Sequence, residues 1–523
     1  MTGPHRAQRT DVCILGAGLA GLSLARQLHQ RKPELSITLV EHRQFPVVEA
    51  AHKVGESTSE IASHYFAKTL GLRDHLRQQQ LPKFGLRLFF RGEQAITDDI
   101  GRYDEVGAST VLPIPTFQID RGRFENHLAT ECRAQGSRLL DHSTIRNIEL
   151  SPGQHRVTAR DEEGEQIIQS RYLVDASGRR AWLRSQGALT KELHHGNHAV
   201  WLRVEGDLDV DTWSHNPEWL ARCHGTPRRL STNHFTGPGY WVWLIPLASD
   251  TTSIGVVFDP NLLTLETVNT HERFMRWLAS EHPIISAATQ SRAVLDFHVL
   301  KNYAVGSRQV MSSDGWMMTG DAGPFSDPFY SPGSDFIAFA NGFITELITT
   351  EAPSERFAEF QRHFMGFFSN TISIYRGLYP CMGHRDMMVI KTLWDFTYYW
   401  AVLSKLFFTG RYTDAQFMTS AQPALLRASA LNSRIQRQLK GAAGVGVRVG
   451  GESGFHDYHA IPLFHRMKNA LLRGDSEHAR DELELDVESL ERIAIELSLW
   501  IVKIQAGERV PSLSILAQRP AFA

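Results

Sequence analysis

The sequence predicts a mixed α/β fold: a parallel nucleotide-binding unit, then an antiparallel layer, then a mainly helical C-terminal domain. Three observations carry this expectation. Gly16-Ala-Gly18-Leu-Ala-Gly21 lies between two short apolar runs, Asp11-Val-Cys-Ile-Leu15 and Leu35-Ser-Ile-Thr-Leu-Val40, which is the spacing of a βαβ unit. Alternating runs such as His198-Ala-Val-Trp-Leu-Arg-Val204 and Thr252-Ser-Ile-Gly-Val-Val-Phe258 fill roughly residues 190–300 and read as antiparallel strands. Beyond about Ser354 the apolar period turns helical, as in Asp481 to Val502.

Each element follows from its residues. The strand at Asp11–Leu15 runs into the glycine loop, which opens a helix to about Gln30. Three glycines serve a tight turn, close approach of backbone to a pyrophosphate, and tight helix–strand packing. The helix N-terminus then presents free N–H groups to phosphate. The next strand ends on Glu41, placed to accept the hydroxyls of an adenosine ribose. Gln118-Ile-Asp-Arg121 begins a helix, Tyr172-Leu-Val-Asp175-Ala-Ser-Gly178 is a strand and tight turn, and Trp316-Met-Met-Thr-Gly320-Asp321-Ala322 is a strand ending in G-D-A.

Composition excludes several classes. The 523 residues are 42% hydrophobic and 21% charged, an ordinary globular balance with room for two or three cores. A formal charge of −2 provides no field to gather nucleic acid. Cys13, Cys132, Cys223 and Cys381 form no C-x-x-C pair, so neither a disulfide framework nor a zinc site is expected. His456-Asp-Tyr-His459 and His465 lack the i, i+4 pairing of a helical metal site, and no metal is expected. The polar start MTGPHRAQRT has no signal-peptide character, and a cytoplasmic location is expected. The aromatic-rich stretch Met387–Phe408 is interrupted by Lys391, Asp395 and Lys405, which favours a buried helix over a membrane span.

Two further patterns are more specific. Trp241-Val-Trp243-Leu-Ile245-Pro246 reads W-x-W-x-I-P, and Phe325-Ser-Asp-Pro328-Phe-Tyr-Ser331-Pro-Gly333 reads F-x-x-P-x-x-S-x-G. Downstream of a glycine loop, these resemble the signatures of flavin-dependent halogenases. The resemblance covers about residues 8–345 and includes Lys53-Val-Gly-Glu56-Ser57-Thr58, similar to the strap that covers the flavin in that family. Read simply as a turn before a helix, the same hexapeptide offers Ser57 or Thr58 as N-cap.

The resemblance implies an FAD-binding, Rossmann-like domain of the glutathione reductase/p-hydroxybenzoate hydroxylase type over residues 8–190 and 300–350. A substrate-facing β layer over 191–299 and a helical domain over 355–523 complete the expected division. It implies cofactor contacts from Gly16, Gly18, Gly21, Glu41, Lys53, Glu56, Ser57, Arg121 and Asp321, and a halide turn at Ser331, Pro332 and Gly333. Trp241 and Trp243, on one face of a strand, would separate flavin from substrate; packing of two large aromatics in a core is the plainer reading.

In this family, FADH2 from a separate NAD(P)H flavin reductase reacts with O2 to a C4a-hydroperoxide, halide attacks it, and the hypohalous acid reaches a lysine beside the aromatic substrate. Lys83, in Leu81-Pro-Lys-Phe-Gly-Leu-Arg87-Leu-Phe-Phe90, matches that lysine, which similar halogenases place at the start of a strand; Lys53 is its competitor. Tyr330 stands where tryptophan halogenases carry a glutamate, which points to an electron-rich phenol or pyrrole, free or carried on a carrier protein. Pro332 has no N–H to offer a halide, so chloride or bromide would be held by Gly333 and the Ser331 hydroxyl. A flavin monooxygenase or reductase without halide use is the alternative, and a catalytically idle flavoprotein a third reading.

Overall fold

Strand Arg6–Leu15 is the axis of the first of two units in this computed structural model, which describes residues 6–50, 53–91, 99–443 and 454–522. Met1–His5, the first half of the polar N-terminal stretch, lies outside the described residues. The first unit is drawn from Met1–Gln79, Ile119–Leu193 and Ala304–Ser369; the second from Gln80–Gln118, His194–Tyr303 and Asn370–Ala523.

In the first unit Val12, Cys13, Ile14 and Leu15 are fully buried, as in a parallel strand covered on both faces. Their strand pairs in parallel with Ile37–Val40 on one side and Glu165–Asp175 on the other. Arg138–Leu140 continues the parallel sheet beyond Ile37–Val40, and Trp316–Met318 pairs with Leu173–Asp175. His155–Arg160 and Thr144–Glu149 extend it as an antiparallel ribbon. Helix Leu19–Arg31 has Arg31 in its last turn, where positive charge meets the negative end of the helix dipole. It packs against helices Arg121–Ala134 and Gly333–Thr349. Asp120 caps the former by accepting from the Arg123 N–H at 3.3 Å.

The second unit is an eight-stranded sheet in the order Val294–Leu300, His198–Glu205, Thr251–Phe258, Tyr240–Leu247, Thr232–Gly237, Leu86–Phe90, Asp104–Gly107 and Phe455–Asp457. All pairings are antiparallel except Thr232–Gly237 with Leu86–Phe90 and Phe455–Asp457 with Asp104–Gly107. Val242, Leu244, Phe235, Ile254 and Val256 share a core with Phe274, Trp277 and Ile285 of two short helices. Trp241, Trp243 and Ile245 take the opposite face, as the two-residue period requires.

This grouping differs from the division read from sequence. Residues 80–118 belong with the sheet rather than with the glycine loop, because Leu86–Phe90 and Asp104–Gly107 are hydrogen-bonded into it. The helical third is not separate either, since Phe455–Asp457 is that sheet's edge strand.

The stretch Met387–Phe408 is a buried helix: Arg385–Tyr398 passes through a wider π turn at Tyr399–Ser404 into Lys405–Phe408. Its charges are satisfied internally, Lys391 by Asp395 and the Ile374 carbonyl, both at 2.6 Å, and Lys405 by Glu482 and Asp486. Among the described residues no helix is long and apolar enough to cross a membrane.

Candidate active site

The first unit carries a nucleotide cradle. Gly16 holds φ +101, and a Cβ there would lie 2.6 Å from the Ala176 carbonyl oxygen; a Cβ on Gly21 would lie 2.1 Å from that of Gly16. Both glycines are therefore required by the fold itself. At Gly18 a Cβ would meet nothing within 4 Å, which leaves the surface over the helix N-terminus open to a phosphate.

Glu41 ends the second strand, 3% exposed, and accepts from the Ala17 N–H at 2.8 Å and from the Arg43 Nε at 2.9 Å. Burial alone would raise its pKa, but hydrogen bonds from His42 and Arg43 and the Arg43 charge hold the carboxyl well below the usual carboxylate range.

Beside it is a cluster that the sequence did not disclose. Glu125, fully buried, pairs with Arg121 at 2.9 Å, Arg43 at 3.3 Å and Lys53. Burial opposes its charge, and the three cations outweigh burial and lower its pKa. For Lys53 burial dominates; with Arg121 and Arg43 it outweighs the pull of Glu125 and brings the ammonium down to about 8. Arg121 donates to the Val54 carbonyl at 2.9 Å, and the Ile119 N–H to the Glu56 carbonyl at 2.5 Å. The strap is thereby tied to the start of helix Arg121–Ala134. The buried Arg121 Nε has no partner among the described residues.

The strap ends at helix Glu60–His64, whose N-cap is Ser59, not Ser57 or Thr58. Thr58 turns its hydroxyl to Ser63 at 2.7 Å, and Asp335 takes the capping role by accepting from the Ala62 N–H at 3.0 Å and the Ser59 hydroxyl. Glu56 and Ser57 are both buried. Asp321 occupies the 3-10 turn Gly320–Ala322; burial raises its pKa against Arg121, Arg179 and Arg184.

Asp335 belongs to helix Gly333–Thr349, which follows the turn over residues 325–332. Asp327 accepts from the Phe329 N–H at 3.0 Å, the Ser331 N–H donates to the Pro328 carbonyl at 2.8 Å, and Ser331 is held at φ +62. Pro332 is the N-cap of helix Gly333–Thr349, and the first ladder bond runs from Phe336 N–H to Pro332 O at 3.1 Å. A proline at a helix entrance forfeits an N–H that the ladder does not use. The N–H groups of Gly333 and Ser334 precede the first ladder bond, at the positive end of a 17-residue helix.

The second unit carries Lys83 and the tryptophans. Lys83, half-buried, closes strand Leu81–Lys83 and pairs with Thr116. It does not begin a strand, as expected from the resemblance; the next one starts at Leu86. The Phe84 N–H donates to the Leu230 carbonyl at 2.9 Å and the Thr232 N–H to the Gly85 carbonyl at 3.0 Å, fixing the lysine beside strand Thr232–Gly237. On that strand His234 is 2% exposed, lies opposite Trp243, and has its ring 4.6 Å from that of Trp241. Burial lowers the His234 pKa well below its ordinary value, and the Lys83 charge lowers it further. The Trp241 Nε1 donates to the Tyr379 Oη at 2.9 Å and the Trp243 Nε1 to the Ser253 Oγ at 3.1 Å.

Sequence reasoning named Lys83, Trp241 and Trp243 but missed His234 and Tyr379. A histidine between Thr232 and Thr236 in an alternating run was the signal for the first; nothing local marks the second. His459 bonds Thr110 at 2.7 Å, His465 bonds the His459 carbonyl at 2.6 Å, and His456 lies in the edge strand Phe455–Asp457.

Residues 9–329 match the family model described as FAD binding domain. The flavin-dependent halogenase chlA of Dictyostelium discoideum is 32% identical over 365 residues, 65% of this chain and 60% of that protein. The chain thus spans less than two thirds of that relative's length. The 1H-pyrrole-2-carbonyl-[peptidyl-carrier protein] brominase of Pseudoalteromonas luteoviolacea (strain 2ta16) is 26% identical, over 62% of this chain and 74% of that one. The crystal structure of halogenase PltM in complex with phloroglucinol and FAD shares the fold, with a TM-score of 0.65 and 17% identity over 96% of this chain and 97% of that one. FAD is the cofactor the cradle fits: glycine backbone and a helix end for its pyrophosphate, a carboxylate for its ribose, and arginine and lysine cations beside them. The curated relatives it resembles are flavin-dependent halogenases, and the chain itself belongs to the FAD binding domain family.

Proposed function

We propose that this protein is a two-component, FADH2-dependent halogenase acting on an electron-rich aromatic such as a phenol or pyrrole, with Lys83 as its catalytic residue. Reduced FAD, delivered by a separate NAD(P)H flavin reductase, supplies hypohalous acid from dioxygen and chloride or bromide.

The protein's own groups do the rest. Gly16, Gly18, Gly21 and Glu41 hold the adenosine diphosphate part of the cofactor, with Lys53 and Arg121 against its charge and Asp321 at its ribityl chain. Glu56 and Ser57 belong to the strap that covers it. The Ser331 hydroxyl and the Gly333 N–H receive the halide at the positive end of helix Gly333–Thr349, with Pro332 shaping the turn. Trp241 and Trp243 wall the substrate side. The Lys83 ammonium hydrogen-bonds the hypohalous acid and aims its halogen at the ring.

The observation that carries this reading is Lys83: a half-buried lysine fixed by backbone bonds beside the Trp241–Trp243 face, with its charge felt by buried His234. The brominase relative, named for a pyrrole on a carrier protein, supports the substrate class and makes a carrier-tethered substrate a reasonable partner.

Pro332 favours one second reading, a monooxygenase or reductase without halide, because it withdraws a backbone donor from the turn. The two are separated by supplying the protein with FAD, a flavin reductase, NADH and either halide, then examining free and carrier-tethered phenols and pyrroles by mass spectrometry. Products with a chlorine or bromine isotope pattern are expected. Oxygenated or reduced products without halogen would establish the second reading instead.

A further inference from the structure

His234 lies against the proposed reacting centre without a role in it. It shares its sheet face with Trp241, at 4.6 Å between rings, and stands opposite Trp243 on one side and Leu88 on the other. The two-stranded sheet bearing Lys83 is tied to the same strand. Besides the bonds at Leu230 and Gly85, the Gln118 Nε2 donates to the Thr232 Oγ1 at 3.0 Å, and Gln118 belongs to the strand that pairs with Lys83's own. An ammonium and an imidazole are therefore brought to one patch of an aromatic-lined face. Burial and the nearby Lys83 charge lower the imidazole pKa well below its ordinary value, which leaves a neutral ring beside a lysine. That is an acid and a base ready to act together.

We propose that His234 is the general base that removes the ring proton during halogenation, with Lys83 as the paired acid. This rests on the halogenase reading and deepens it. The ring's π electrons form the carbon–halogen bond as the halogen–oxygen bond of hypohalous acid breaks. The oxygen leaves as water, taking a proton from the Lys83 ammonium. The ring carbon then gives its proton to a His234 ring nitrogen, and the C–H electron pair restores aromaticity. Finally the imidazolium returns a proton to the Lys83 amine. The sum is ArH + HOX → ArX + H2O, with both side chains as they began, and hypohalous acid the sole oxidant.

The test compares ring-protiated and ring-deuterated forms of a substrate that the wild-type protein halogenates. With His234 present, ring-proton loss is fast and the isotope effect stays near unity. In His234→Gln, turnover should fall about a hundredfold, and a clear normal isotope effect should appear because proton loss now limits the rate. Bound FAD, and hypohalous acid trapped by monochlorodimedone, should be unchanged. A second variant, His234→Gly, should regain turnover with added imidazole. Wild-type turnover in His234→Gln would overturn the proposal. So would slow turnover with no isotope effect together with no imidazole rescue of His234→Gly. Failure of the halogenase reading is a different result, since the wild-type protein would then give no halogenated product at all.

Discussion

Lys53 makes its proposed contact with the cofactor measurable as a pH dependence. In the free protein burial and two arginines bring its ammonium to about 8. A bound pyrophosphate stabilises the charged form and raises that pKa. Below pH 8 the lysine is protonated both free and bound, so FAD affinity should be flat there. Above pH 8 binding must take up a proton, and affinity should fall by up to about tenfold per pH unit until the bound-state pKa is reached. Titration of FAD fluorescence across pH 7–10 checks this, and Lys53→Met should abolish the slope. Glu125 shows why this residue-scale chemistry was not legible in sequence. It follows Arg121 by four residues in a helix and reads as an exposed i, i+4 pair, whereas the fold buries it and adds Arg43 and Lys53 from elsewhere in the chain.

At the scale of elements, the glycine loop separates folding from binding. Gly21→Val would drive side-chain atoms into the Gly16 carbonyl and should cost about 1–3 kcal/mol or more, seen as a lower melting temperature without cofactor. Gly18→Ala meets no protein atom within 4 Å and should leave stability within about 0.5 kcal/mol, yet weaken FAD binding strongly. Equal stability losses in the two variants would contradict the cradle.

The turn before helix Gly333–Thr349 poses the opposite trade. Ser331 is held at φ +62, a left-handed conformation costing about 1–2 kcal/mol for a residue with a side chain. Ser331→Gly should therefore stabilise the protein while raising the halide concentration needed for half-maximal turnover. Elements of this kind were legible because their signals are local: the glycine spacing, the W-x-W alternation, the strand before Glu41 and the turn at Asp321. The cap at Ser59 was misplaced at Ser57 or Thr58 because the carboxylate that satisfies the helix end, Asp335, comes from 276 positions away in sequence from Ser59.

For the molecule as a whole, the division into units escaped sequence reasoning for the same reason. Parallel pairing of Phe455–Asp457 with Asp104–Gly107 joins residues more than three hundred positions apart, and no local pattern announces it. The helical third also supplies Tyr379 to Trp241. A chain truncated after Ser369 should accordingly lose more than a cap: the eight-stranded sheet loses its edge strand and Trp241 its partner. Such a chain should be recovered aggregated or protease-sensitive throughout residues 194–303, and a well-folded, cofactor-binding truncation would show that the third is dispensable to the sheet.

The central claim is that Lys83 directs hypohalous acid to an aromatic ring. Its most direct test is halogen incorporation by Lys83→Ala against wild type, with FAD, reductase, NADH and halide supplied and FAD occupancy measured in the same samples. The account predicts at least a hundredfold loss of halogenated product (about the contribution of a positioned acid), with FAD binding and trappable hypohalous acid retained. Halogenation at the wild-type rate by Lys83→Ala, or loss of FAD along with activity, would contradict it.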